Sequence, residues 1–139
     1  MSTSTVETAV RDRLDELAAA MRAKDADRVA ACYRPGAVIF DLAPPLGKTF
    51  DPEVTRSWFA GHPGEAMDWE LPDPVVTASG DLAVGHGLAR MGVPGTWQLW
   101  FRATVVLREV DGRWLVEHLH TSTPFHMDGS FRAATDLEP

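Results

Sequence analysis

His118 and His120 stand two residues apart in the segment Trp114–Pro124, with Ser122 two residues further on. On a β-strand successive side chains point to opposite faces, at roughly 3.3 Å rise per residue. Trp114, Val116, His118, His120 and Ser122 then share one face, and Leu115, Leu119, Thr121 and Thr123 share the other with Glu117. An apolar wall that turns polar at one end is how small-molecule pockets are usually lined. Two adjacent imidazoles could act as general acid and base, since His titrates near neutrality. They could also be two metal ligands, with His86 or Asp41 as third, or simply hydrogen-bonded core or interface histidines. One extra residue before His118 would turn both rings to the outer surface.

Asp41 follows Val38-Ile39-Phe40 in a strand expected near the core. There it is a candidate general base; otherwise it is a solvated strand-end residue capping the Pro44-Pro45 loop. In Phe101-Arg102-Ala103-Thr104, Arg102 and Thr104 share a face with Gln98, Trp100 and Val106. Arg102 could bind an anion or pair with Asp41, or lie solvated on the outer face. Five tryptophans are many for 139 residues; Trp58 and Trp100 are the better candidates for a pocket wall. The candidate catalytic set is Asp41, His118, His120 and Arg102. The candidate substrate-binding set is Tyr33, Trp58, His86, Trp100, Thr104 and Ser122.

The elements that must position these residues are legible in the periodicity. Val6, Val10, Leu14, Leu17 and Met21 form the stripe of an amphipathic helix over about 5–23, behind a capping box at Ser4-Thr5-Val6-Glu7. Asp25 can cap a shorter helix ended by Pro35-Gly36, after which Ala37–Leu42 reads as a strand. Asp51-Pro52 starts a third helix that Gly61 ends. The remainder is mostly β. Ala66–Ala78 is an edge region broken by Pro72 and Pro74, followed by strands over Leu82–Met91 and Trp97–Val110. A strong hairpin turn at Asp111-Gly112 leads into the histidine strand. Helices first and a meander of strands afterwards indicate an α+β fold.

Composition narrows the function. The net charge of -7 and a pI of about 5.1, with no basic stripe, make a poor nucleic-acid binder. Cys32 is the only cysteine, which excludes an intrachain disulfide and multi-cysteine zinc motifs. It reads as a small buried hydrophobe. No apolar run reaches the roughly 20 residues of a spanning helix, and the N-terminus has no secretory pattern. A soluble cytoplasmic protein, with no membrane partner, is expected.

The order of these features resembles a known family. Its marks are a short helix leading to Tyr33-x-Pro35-Gly36-Ala37-Val38, a strand ending in Asp41, Arg102-x-Thr104, Asp111-Gly112-x-Trp114, and His118-x-His120-x-Ser122-x-Pro124. Over about residues 5–125 the chain resembles the SnoaL-like branch of the NTF2-like superfamily, which includes ketosteroid isomerases and polyketide cyclases. The resemblance implies a cone: a curved antiparallel sheet wrapped around three N-terminal helices, enclosing a pocket, with dimers formed through the outer sheet face. Asp41, eight residues after Tyr33, falls where the steroid isomerases carry their general base. Their oxyanion Tyr falls near Leu17 and their protonated oxyanion Asp near Thr104, so both of those donors are missing and Arg102, His118 or His120 would take the electrophilic role. The His-x-His-x-Ser ending is also similar to the association (hub) domain of calcium/calmodulin-dependent protein kinase, which assembles oligomers and is not an enzyme.

The expectation is one domain over 1–126 with a loose tail over 127–139. It would be a homodimeric acid/base enzyme without metal or organic cofactor, of the isomerase, cyclase, dehydratase or epoxide-opening type. Its substrate would be a small, largely apolar metabolite. A non-catalytic ligand-binding or oligomerisation module of the same fold is the alternative.

Overall fold

The expected apolar stripe becomes helix α1 (Thr3–Arg22), which buries Val10, Leu14 and Leu17. The computed structural model describes residues 3–64 and 66–139, without the side chains of Thr3 and Ser4. The expected N-cap, Ser4, therefore lies within the helix with its side chain outside the described part. Helix α2 (Ala26–Ala31) is capped by Asp25, whose carboxylate accepts from the Arg28 N–H at 3.1 Å. Helix α3 (Pro52–Ala60) starts as its sequence dictates: Asp51 accepts from the Glu53 N–H at 2.9 Å and Pro52 needs no partner at N1.

Seven strands follow or interleave. They are β1 (Tyr33–Phe40), β2 (Lys48–Thr49), β3 (Asp68–Glu70), β4 (Val75–Ser79), β5 (Leu82–Val93), β6 (Trp97–Val110) and β7 (Arg113–Ser122). They form one sheet in the order β2-β1-β7-β6-β5-β3, with β4 also pairing β5. The Pro72 and Pro74 segment separates β3 from β4, and both lie on the far edge against β5. Asp111 and Gly112 take φ of 52° and 79°, the left-handed pair that a two-residue hairpin turn needs.

Two expectations need correction. The sheet is antiparallel except that β1 runs parallel to β7. In addition, β1 begins at Tyr33 rather than Ala37, because the Val116 N–H captures the Cys32 carbonyl at 2.8 Å and draws the chain into the sheet early. Pro35-Gly36 does not end the helix; it sits inside β1, where the register against β7 shifts and Gly36 has φ of 83°.

The three helices cover one face of the sheet. Val10, Leu14, Leu17 and Val29 pack there with Val105, Leu107, Trp114, Val116 and Leu119. Gly85 lies under α1, where a Cβ would come within 3.1 Å of the Leu14 side chain. Beyond β7, Phe125 bridges to Ala133, and the Ala134 N–H donates to the Pro124 carbonyl at 2.8 Å. Among the described residues no helix is long and apolar enough to cross a membrane.

The decisive local feature is a β-bulge in β7. Thr104 faces His120 and Val106 faces His118, but Leu107 faces Val116, so Glu117 is the extra residue. Its carboxylate is held by Arg34 at 2.5 Å and Arg108 at 3.2 Å, one guanidinium from each neighbouring strand. The hydrogen bond from Arg108, followed by that from Arg34, keeps the Glu117 carboxyl below its ordinary range.

Candidate functional site

The bulge reverses the face assignment of the histidine strand. Val116 lies against the helices, and after Glu117 it is Leu119 and Thr121 that face inward, each 7% exposed. His118, His120 and Ser122 are turned to the outer surface. There the His118 Nδ1–H donates to the Val38 carbonyl at 2.6 Å. Phe40 meets both rings edge-on, its centroid 4.9 Å from His118 and 5.6 Å from His120.

The other polar candidates of β5 and β6 share that outer face. Arg102 lies opposite Ser122 and donates from Nε to its hydroxyl at 3.1 Å. Thr104 lies between His120 and His86. Trp100 carries the Arg90 guanidinium 5.6 Å from its ring centroid. Thr104 separates His86 from His120, and among the described residues no group of three or more His, Cys, Asp and Glu is placed to hold a metal.

The cavity is on the other side. Between the helices and the inner sheet face lies a cavity of about 260 Å³. Its walls are Leu17 and Met21 from α1, Val54 and Trp58 from α3, and Trp69, Met91, Phe101, Leu119 and Thr121 from the sheet. Tyr33 and Phe50 close one side with their rings stacked, centroids 4.1 Å apart. Of the residues singled out from sequence, Asp41, Tyr33 and Trp58 line this cavity; Arg102, His118, His120, His86, Trp100, Thr104 and Ser122 do not.

Asp41 continues the alternation of β1 two residues past the buried Ile39 and so turns inward. Its Oδ1 accepts from the Ala43 N–H at 2.8 Å, and its Oδ2 meets Lys48 Nζ at 2.8 Å. Lys48 was not singled out from sequence. It sits on the two-residue strand β2 opposite Ile39, and residues opposite each other in an antiparallel pair share a face. The available signal was the short Pro44-Pro45-Leu46-Gly47 loop, which must turn the chain back along β1. The two side chains are 29% and 22% exposed, so the ion pair sits where the cavity meets water. Asp51 also lines the cavity, but its Oδ1 is committed to the α3 cap. Burial, with smaller contributions from Cys32 and Asp41, pushes the Tyr33 phenol above its ordinary range, so the hydroxyl stays protonated.

The SnoaL-like domain family matches residues 10–126 of the chain. No curated protein matches it. Among solved structures, an NTF2-like protein of unknown function from Pseudomonas putida is 30% identical, with a TM-score of 0.86 and 100% of both chains covered. A candidate dehydratase of the NTF2-like family from Streptomyces avermitilis is 18% identical, with a TM-score of 0.74 over 88% of this chain and 99% of that one. The calcium/calmodulin-dependent protein kinase II hub of S. rosetta is 22% identical, with a TM-score of 0.71 over 84% of this chain and 95% of that one. The helices-over-sheet architecture, the cavity it encloses and the match from residue 10 to residue 126 together identify the chain as a member of the SnoaL-like domain family, built on the NTF2-like fold.

Proposed function

We propose that this protein is an acid/base enzyme acting on a small, largely apolar metabolite, of the isomerase, dehydratase, cyclase or epoxide-opening type. The observation that carries this reading is the Asp41 carboxylate, paired with Lys48 at the polar end of a mostly apolar cavity whose second carboxylate, Asp51, is committed to the α3 cap, with a neutral phenol in the same lining. Asp41 acts as the base. Two of the roughly four acceptor positions of its carboxylate are taken, which leaves capacity to receive a proton from the ligand. Tyr33 is the neutral hydrogen-bond donor. His118, His120 and Arg102 are not assigned to the chemistry, because the sheet lies between them and the cavity.

The test is incubation with small neutral ketones, enones and epoxides in deuterated water, followed by proton NMR. Wild type is expected to convert, or exchange deuterium into, at least one of them. Asp41→Asn should lower that rate by about 10²–10⁴-fold with the fold intact. Equal rates in the two proteins remove Asp41 from the mechanism.

A second reading is a ligand-binding or assembly module. It is favoured by the Lys48 partner that already occupies Asp41, and by the outer sheet face, where Val38, Phe40, Val75 and Leu88 are exposed. A second copy packed on that face would give a homodimer. Tight binding of a ligand that emerges unchanged, together with a dimeric mass in solution, would support this reading over catalysis.

A further inference from the structure

We propose that Lys48 is the electrophile of this site, and that its substrates are neutral apolar carbonyl compounds whose oxygen takes the ammonium from Asp41. The inference rests on Asp41 being the base and adds what the base acts upon.

Three observations carry it. The first is charge. The ionised side chains lining the cavity are Asp41, Lys48 and Asp51. Asp41 and Lys48 are 2.8 Å apart and neutralise each other, and the Asp51 carboxylate is engaged with the α3 N-terminus. An acidic ligand would find its only cation already compensated and two carboxylates nearby. A neutral ligand meets no such repulsion.

The second is geometry. Lys48 is held on the inner face by its pairing opposite Ile39, so its ammonium and the Asp41 carboxylate reach the same end of the cavity from adjacent strands. A carbonyl group and its own α-carbon offer an acceptor and an acidic C–H side by side. Inserted between Lys48 and Asp41, the oxygen faces Nζ and the C–H faces Oδ2. The group that restrains the base is then the group that stabilises the product of its action.

The third is what else is available. Arg102, His118 and His120 lie beyond the sheet on its outer face. Lys48 is the only cationic side chain among the described lining residues.

The step balances without a co-reactant. Asp41 takes the α-proton, the C–H electron pair forms the C=C bond, and the carbonyl π-pair moves to oxygen, where Lys48 holds the enolate. Return of the proton from Asp41, to the same or another carbon, completes an exchange or an isomerisation.

The test uses three probes with one ring: cyclohexyl methyl ketone, cyclohexylmethanol and cyclohexanecarboxylate. Binding is read from the fluorescence of Trp58 and Trp69, both in the cavity wall, and α-deuteration of the ketone by NMR in deuterated water. Wild type should bind the ketone at least about tenfold more tightly than the acid, the range a hydrogen bond to a charged donor provides. Lys48→Met should weaken ketone binding by about tenfold, with no gain for the acid, which then meets an uncompensated Asp41, and should slow deuteration by about a hundredfold, as loss of one oxyanion donor does. Lys48→Arg should restore most of the ketone affinity and of the exchange rate, which a merely structural role would not require. Unchanged binding and exchange in Lys48→Met overturn the proposal, as does tighter binding of the acid than of the ketone to wild type, or no ketone binding near its solubility. Asp41→Asn separates the two readings. If it still binds the ketone but exchanges as fast as wild type, the base assignment fails and the Lys48 recognition stands.

Discussion

The two faces of the central strands carry opposite kinds of residue, and the cavity belongs to the less conspicuous one. The outer face bears His86, Arg102, Thr104, His118, His120 and Ser122, a set that reads as an active site. Three of them are engaged with one another or with backbone, Arg102 with Ser122 and His118 with the Val38 carbonyl, and Phe40 packs edge-on against both rings of the His-x-His pair. The inner face is almost wholly apolar, and its few polar groups stand at the edge of the cavity. The proposed base and its cation stand at the mouth of the cavity, and the residue types that look most reactive stand on the opposite side of the sheet.

The contrast breaks most sharply by mutation of the two faces in parallel. Asp41→Asn should cost about 10²–10⁴-fold in turnover. The double change His118→Gln with His120→Gln should leave it within about twofold, as for surface positions away from a site. A large loss in the histidine variant, measured on the same substrate, would return the outer face to the mechanism.

Packing should show the same asymmetry. Leu107 points inward and is fully buried, whereas its neighbour Val106 points outward and is partly exposed. Leu107→Ala should destabilise by about 2–5 kcal/mol. Val106→Ala should cost less than about 1 kcal/mol, nearer the surface range. Urea unfolding of the two variants measures the difference, and similar losses would mean that the outer face is covered in solution.

A smaller effect concerns the bulge. The Glu117 carboxyl is held below its ordinary value, so the unfolded chain takes up the proton first as pH falls. Its stabilising contribution is therefore complete above about pH 5 and is lost progressively as pH drops through the folded-state value. Partial exposure limits that contribution to about 1 kcal/mol or less. Glu117→Gln should flatten this part of the acid limb in denaturation curves taken at descending pH; an unchanged limb would mean that the two arginines do not stabilise the bulge. Smallest of all, Arg102→Gln should change stability by about 0.5 kcal/mol or less, because only an exposed bond to Ser122 is lost. A larger loss in thermal unfolding would indicate that Arg102 is buried against another copy.

Much of this architecture is written locally. The α1 stripe, the Asp25 and Asp51 caps, the Asp111-Gly112 turn and the long β5–β6–β7 meander all follow from periodicity and turn chemistry within a few residues. The helices-then-strands order gives the fold class. Asp41 and Trp58 are recognisable because they sit inside strongly patterned segments, and Tyr33 because the family resemblance marks it. Lys48 escapes because a two-residue strand has no periodicity; its meaning comes only from pairing with Ile39. The outer-face residues mislead for a related reason. Alternation along a strand assigns two faces, but one unpaired residue exchanges them, and nothing around Glu117 in the linear sequence distinguishes a bulge from a regular position.

The amino-acid order alone therefore determined the helices, the turns, the strand meander and the presence of a carboxylate entering an apolar region, since each depends on neighbours close in the chain. Tertiary structure decided which side of the sheet each reactive group occupies and which cation meets Asp41. Those outcomes depend on register between strands distant in sequence: β1 beside β7, β2 folded back on β1, and two arginines from separate strands closing on Glu117.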